Sequence, residues 1–113
     1  MMRSAVLVIV VVFGLPAIAA AQDKALIERG MKVYAAQKCN ICHSIDGKGN
    51  AKGPLDSVGL KLSADEIREW IVHPVEMTKK TKAERKPVMR AYPNLPKEDL
   101  DAVVAYMLSL KKK

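Results

Sequence analysis

Apolar residues fall into three helix-like runs separated by two stretches rich in glycine or proline, all preceded by an N-terminal block with no polar face. In the first run Leu26, Ile27, Gly30, Val33 and Tyr34 share one helical face, which predicts a helix over 23–38 with Asp23 as N-cap. Gly30 lies in mid-helix, where glycine costs about 0.5–1 kcal/mol against alanine. Such a glycine usually lets another backbone or ring come close. The second run opens on Ser63-Ala64-Asp65-Glu66. This is a capping box: the serine side chain satisfies an orphan N–H and the glutamate reaches back to the cap. Ala64, Ile67, Trp70 and Ile71 form the inner face, and the helix ends near Val72 because His73 precedes Pro74. The third run is the most regular, with Leu100, Val103, Val104, Met107 and Leu108 at the i, i+3, i+4, i+7, i+8 spacing. Pro96 suits its first turn, Glu98 and Asp99 favour its positive end, and Lys111 to Lys113 lie at its negative end.

No stretch alternates well enough to predict a strand, so the fold class is all-α. The stretch 44–59 holds four glycines and Pro54, and 74–95 holds Pro74, Pro87 and Pro93. Both read as loops, and loops this long in a small domain usually carry function. Wrapping a cofactor explains both.

The N-terminal block has a basic Arg3, an almost unbroken apolar run over 5–18, and small residues through Ala21 before Gln22-Asp23-Lys24. That is the layout of a secretory signal peptide over 1–21, cut after Ala19 or Ala21, leaving a domain over 22–113. The rival reading is an uncleaved anchor. Against it, the run is shorter than the roughly 20 residues that span a membrane, and Pro16 weakens a helix there. Export to the periplasm is the expected outcome, with membrane association only if the segment is retained.

Composition sharpens the need for a cofactor. One Phe, one Trp and three Tyr make a thin core for a domain of this size. The formal charge is +7 and drops by one unit with the leader, which contains Arg3. A basic exported domain points to acidic protein partners or a membrane surface, and there is no nucleic-acid motif.

The two cysteines lie in one pentapeptide, Cys39-Asn40-Ile41-Cys42-His43. This fits C-x-x-C-H, the signature of covalent c-type haem attachment. Two thiols three positions apart can each form a thioether with one vinyl group on a haem edge. The next residue, His43, can then offer Nε2 to the iron. A thioredoxin-like redox pair expects a βαβ setting, which this chain lacks. A structural zinc site needs four ligands, and His73 is the only other usual donor. A plain disulfide remains if haem is never attached.

Candidates for a second axial ligand are Met31, Met77, Met89, Met107 and His73. Met31 and Met107 fall within helices and read as core packing. Met89 follows Lys86-Pro87-Val88 in a proline-stiffened stretch and is favoured. Met77 comes second, with His73 or an open position behind it.

From about 28 to 110 the chain resembles a class I bacterial cytochrome c. The resemblance rests on Gly30-x-x-Val33-Tyr34, Cys39 to His43, Gly53-Pro54-Leu55, Trp70-Ile71-x-x-Pro74, Met89-x-x-Tyr92 and the last helix with Tyr106. It implies a cytochrome c fold in which three main helices and long loops surround one covalent haem. It also implies that Gly30 and Tyr34 meet Tyr106, that the Pro54 carbonyl holds His43 Nδ1, and that Met89 is the ligand from the last loop. The chain departs from many relatives in having Arg90 after Met89 and Pro96 at the cap of the last helix. The function implied is that of a single-electron carrier, not an enzyme, working between periplasmic redox partners. Lys48, Lys52 and the cations of 79–86 are candidates for steering acidic docking surfaces. A haem-bearing subunit of a larger oxidoreductase, or a haem enzyme or sensor with an open sixth position, are the alternatives.

Overall fold

The computed structural model describes residues 5–11 and 16–113. The leader expected over 1–21 lies partly outside the described residues. The elements in chain order are α1 (Pro16–Ala36), a 3-10 turn (Cys39–Ile41), β1 (Ser44–Ile45), β2 (Lys48–Gly49), α2 (Val58–Lys61), α3 (Ala64–Val72), α4 (Pro74–Thr81) and α5 (Lys97–Ser109). The mainly helical expectation holds. None of the described helices is long and apolar enough to cross a membrane.

The fold is built on the crossing of α1 and α5, with α3 packed against α5. Val33, Ile67, Ile71, Val103, Val104 and Met107 form the buried cluster. Ala102 is fully buried. A Cβ on Gly30 would collide with the Ala102 carbonyl and the Tyr106 Cβ, so only glycine permits this helix approach. The Tyr34 and Tyr106 rings meet edge to face beside it, centroids 5.8 Å apart. Arg29 to Asp99 and Arg68 to Asp101, each at 2.9 Å, tie α1 and α3 to α5 at the solvent edge.

The helix boundaries follow local chemistry. The capping box of α3 forms, with Glu66 N–H donating to Ser63 Oγ at 3.2 Å and Ser63 N–H to Glu66 Oε1 at 3.0 Å. α3 ends at Val72 as expected. α1 starts earlier than expected, at Pro16 rather than Asp23, because proline suits a first helical position and alanines follow it. It stops at Ala36, two residues short of the expected end, as Lys38 turns left-handed at φ 56°. Pro96 caps α5 from outside, its carbonyl accepting from Asp99 N–H and Leu100 N–H.

Two stretches read as loops hold further structure. Pro74 ends α3 and also opens α4, its fixed φ being preorganised for a first turn. Within 44–59, β1 and β2 pair antiparallel, Ser44 opposite Gly49 and Ile45 opposite Lys48. Asp46 and Gly47 have φ of 51° and 77°, the two positive values of a tight primed hairpin turn. The short α2 closes the stretch.

Candidate functional site

The left-handed Lys38 releases the chain from α1 into the 3-10 turn that carries both cysteines. Cys42 N–H and His43 N–H both donate to the Cys39 carbonyl, at 3.1 and 2.9 Å. Two thiols and an imidazole are therefore gathered by one local turn. Asn50 clamps this turn from outside. Its backbone N–H lies 3.1 Å from the Asn40 carbonyl and 2.9 Å from that of His43. Its side-chain amide donates to the Ile41 carbonyl at 3.1 Å. Gly49, at φ 111°, lets the backbone lie against His43, where a Cβ would strike the His43 carbonyl.

His43 Nδ1 lies 3.0 Å from the carbonyl oxygen of Gly53. The expected partner was the carbonyl of Pro54, one residue on. Gly53 O takes the bond because it already faces this strand, accepting Ser44 N–H at 3.0 Å in the bridge that pairs Ser44 with Pro54. Successive carbonyls of an extended segment point to opposite sides, so the next one is directed away. A carbonyl can only accept, so Nδ1 carries the proton and Nε2 keeps its lone pair. Burial holds the His43 imidazole below the usual histidine range, only partly offset by the Gly53 bond, and the nearby Arg85 charge lowers it further. The ring is neutral and ready to donate. Burial also pushes the Cys39 thiol up.

The turn forms one lip of a cavity of about 300 Å³. Its walls are mostly apolar: Leu55, Val58, Leu62, Ile67, Trp70, Ile71, Val88 and Val103 line it together with Cys39, Cys42 and His43. Tyr34 also lines it. Its buried hydroxyl has no hydrogen-bond partner among the described residues. Desolvation raises that phenol to a pKa of about 12. An apolar slot with paired thiols, a neutral imidazole and an unpaired hydroxyl suits a large flat cofactor held at one edge.

Among the second-ligand candidates, Met89 and Met107 line the cavity. Met107 is also part of the buried core cluster. Met77 is buried on α4 and does not line the cavity. His73 does not line it either, and its Nδ1 lies 2.9 Å from Glu69 Oε2. Met31 is 49% exposed on α1. Among the described residues, no group of three or more His, Cys, Asp or Glu is placed to hold a metal ion by itself.

Three contributors escaped sequence reasoning. Gly53 belongs to the Gly-Pro piece of the resemblance, but the His43 bond was expected at its neighbour Pro54, and Asn50 carries no sequence signal that it clamps the turn. Arg85 falls among the cations of 79–86 expected to steer acidic partners, yet its Nη2 donates to the Cys42 carbonyl at 2.6 Å. Nothing in its neighbours along the chain marks it out.

The class this frame defines is a small helical protein whose apolar cavity is bordered by two thiols and an imidazole from a single turn. The cytochrome c family model matches residues 27–111, and the chain belongs to that family. With the family come covalently bound haem c, haem-based electron transfer and redox partners. The residues present fit that group. The chain is 30% identical over 95 residues to cytochrome c oxidase subunit 2 of Alkalihalophilus pseudofirmus, a match covering 76% of this chain and 26% of that protein. This chain thus spans about a quarter of that relative's length. No solved structure gives a significant match.

Proposed function

We propose that the protein is a monohaem electron carrier, not an enzyme, in which Cys39 and Cys42 hold the haem and His43 and Met89 are the axial ligands. The observation that carries this reading is that Met89 and His43 line one cavity from different loops, while Met77 and His73 lie outside it. Haem bound there supplies a one-electron couple, and a thioether opposite an imidazole raises its potential relative to many other ligand pairs. The Gly53 carbonyl fixes the His43 tautomer and strengthens its donation. The apolar walls would keep water from a haem bound there. If His43 and Met89 both held the iron, no substrate would bind without displacing one of them, and the chemistry supplied would be outer-sphere electron transfer.

The domain proper begins near Gln22 once the leader is cut, and works in the periplasm. Lys48, Lys52 and the cations of 79–86 give it a basic surface suited to acidic redox partners. Electron exchange with such a partner slows as salt rises, and rates independent of salt would overturn that part of the proposal.

The test of ligation is the visible spectrum. The oxidised protein is expected to show the far-red sulfur–iron charge-transfer band, and the reduced form to leave carbon monoxide unbound. Met89→Ala abolishes the band and Met77→Ala keeps it. Carbon monoxide binding by the wild type would favour an open sixth position. The likeness to an oxidase subunit supports a second reading, a haem-bearing subunit of a larger oxidoreductase. Purification from native membranes and periplasm separates the two, since a carrier is recovered alone and a subunit in a complex.

A further inference from the structure

Arg85 stands apart from the other cations of the 79–86 run. Among the described residues the side chains of Lys79, Lys80, Lys82 and Lys86 make no hydrogen bond or ion pair, whereas Arg85 reaches back 43 positions to the Cys42 carbonyl. Its second terminal nitrogen lies in the space a side chain on Gly53 would fill, so that glycine provides the seat for the guanidinium. The two places it touches matter for the same ligand. Cys42 directly precedes His43, and the Gly53 carbonyl holds His43 Nδ1. Arg85 itself lines the cavity and sits four positions before Met89.

We propose that Arg85 is a positioning residue that ties the Met89 loop to the turn and seat holding His43, so that the two axial ligands are kept in register. This rests on the His43/Met89 reading above. The stretch from Lys82 to Pro96 has no helix or strand of its own. A ligand on such a stretch binds less well by the fraction of time its loop is out of place. A charged donor on a backbone carbonyl is a strong tether. Lysine cannot replace it fully, because it lacks the planar fork that contacts both segments. The positive charge also opposes the added charge of oxidised iron and so raises the potential.

The test compares wild-type holoprotein with R85Q, R85K and, as a neighbouring cation on the same loop, K86Q. Imidazole is titrated into the oxidised protein while the far-red band is followed. The midpoint potential and the hydrogen exchange of amides 83–92 are measured alongside. R85Q is expected to bind imidazole about tenfold more tightly, by loss of one charge-assisted bond, to have a lower potential, and to exchange those amides faster. R85K keeps most of the potential but not the resistance to imidazole, and K86Q matches wild type in imidazole affinity and exchange. An R85Q protein equal to wild type in imidazole affinity and exchange overturns the proposal, as does a K86Q protein shifted as far as R85Q. A wild type with no far-red band removes the His43/Met89 reading by itself. The exchange data then decide the tether alone, faster exchange in R85Q supporting it and equal exchange overturning it.

Discussion

The α1–α5 crossing and the segments that carry His43 and Met89 are held together by different physics. In the crossing, each helix satisfies its own backbone, and stability comes from close apolar contact: Ala102 fully buried, Val104 at 3% exposure, Gly30 against the Ala102 carbonyl. Around His43 and Met89, the chain is pinned by scattered hydrogen bonds between distant positions. Ser44 N–H to Gly53 O, Tyr92 N–H to Ile71 O, and Arg85 to Cys42 O are examples. Residues 79–87 are exposed throughout. The frame therefore sets global stability, while the site depends on a few local contacts that can open without unfolding the whole.

That contrast can be broken by experiment. Ile67→Ala removes a side chain 4% exposed, in both the core and a cavity wall, and should lower unfolding stability by about 3 kcal/mol in denaturant titration. Gly49→Ala strains a residue at φ 111° and presses on the His43 carbonyl, for about 2 kcal/mol. It is expected to perturb the absorption bands of the haem, which Ile67→Ala affects less. A Gly49→Ala protein with normal bands and a large loss of global stability would contradict the division between frame and site. Ser63→Ala deletes the capping bond of α3 and should cost about 1 kcal/mol with no spectral change. Asp99→Asn weakens an ion pair that is largely solvated, so about 0.5 kcal/mol is expected.

The smallest effect at neutral pH is that of Tyr34→Phe. The folded protein holds this phenol at about 12, above the ordinary value of 10.0. A raised pKa means that the folded state keeps its proton while the unfolded chain loses it. Stability from this group is therefore complete below pH 10 and is lost as pH climbs towards 12. Phenylalanine at position 34 should flatten that part of the stability profile. An unchanged slope would show that Tyr34 is not the group responsible.

Sequence and structure agree most closely where interactions are local. The capping box and the periodicity of α5 both formed as read. The hairpin at Asp46-Gly47 went unread although that dipeptide is a strong turn signal, because two-residue strands are too short for alternation to reveal them. α4 was hidden by Pro74, which served as a stop for α3 and concealed its second use as a start. The Gly-Pro loop was recognisable, yet a shift of one residue moved the His43 partner from Pro54 to Gly53.

The sequence by itself determined the turn that gathers two thiols and an imidazole, because Cys39, Cys42 and His43 lie within one pentapeptide and need only the spacing of one turn. It likewise determined the helical frame, because a period of apolar residues is a property of each segment alone. Only the tertiary structure decided which loop methionine lines the cavity, which carbonyl faces His43, and that Arg85 reaches Cys42. Those contacts join residues tens of positions apart. They depend on the path of the chain between them: α4 buries Met77 away from the cavity, and the chain beyond it brings Met89 back.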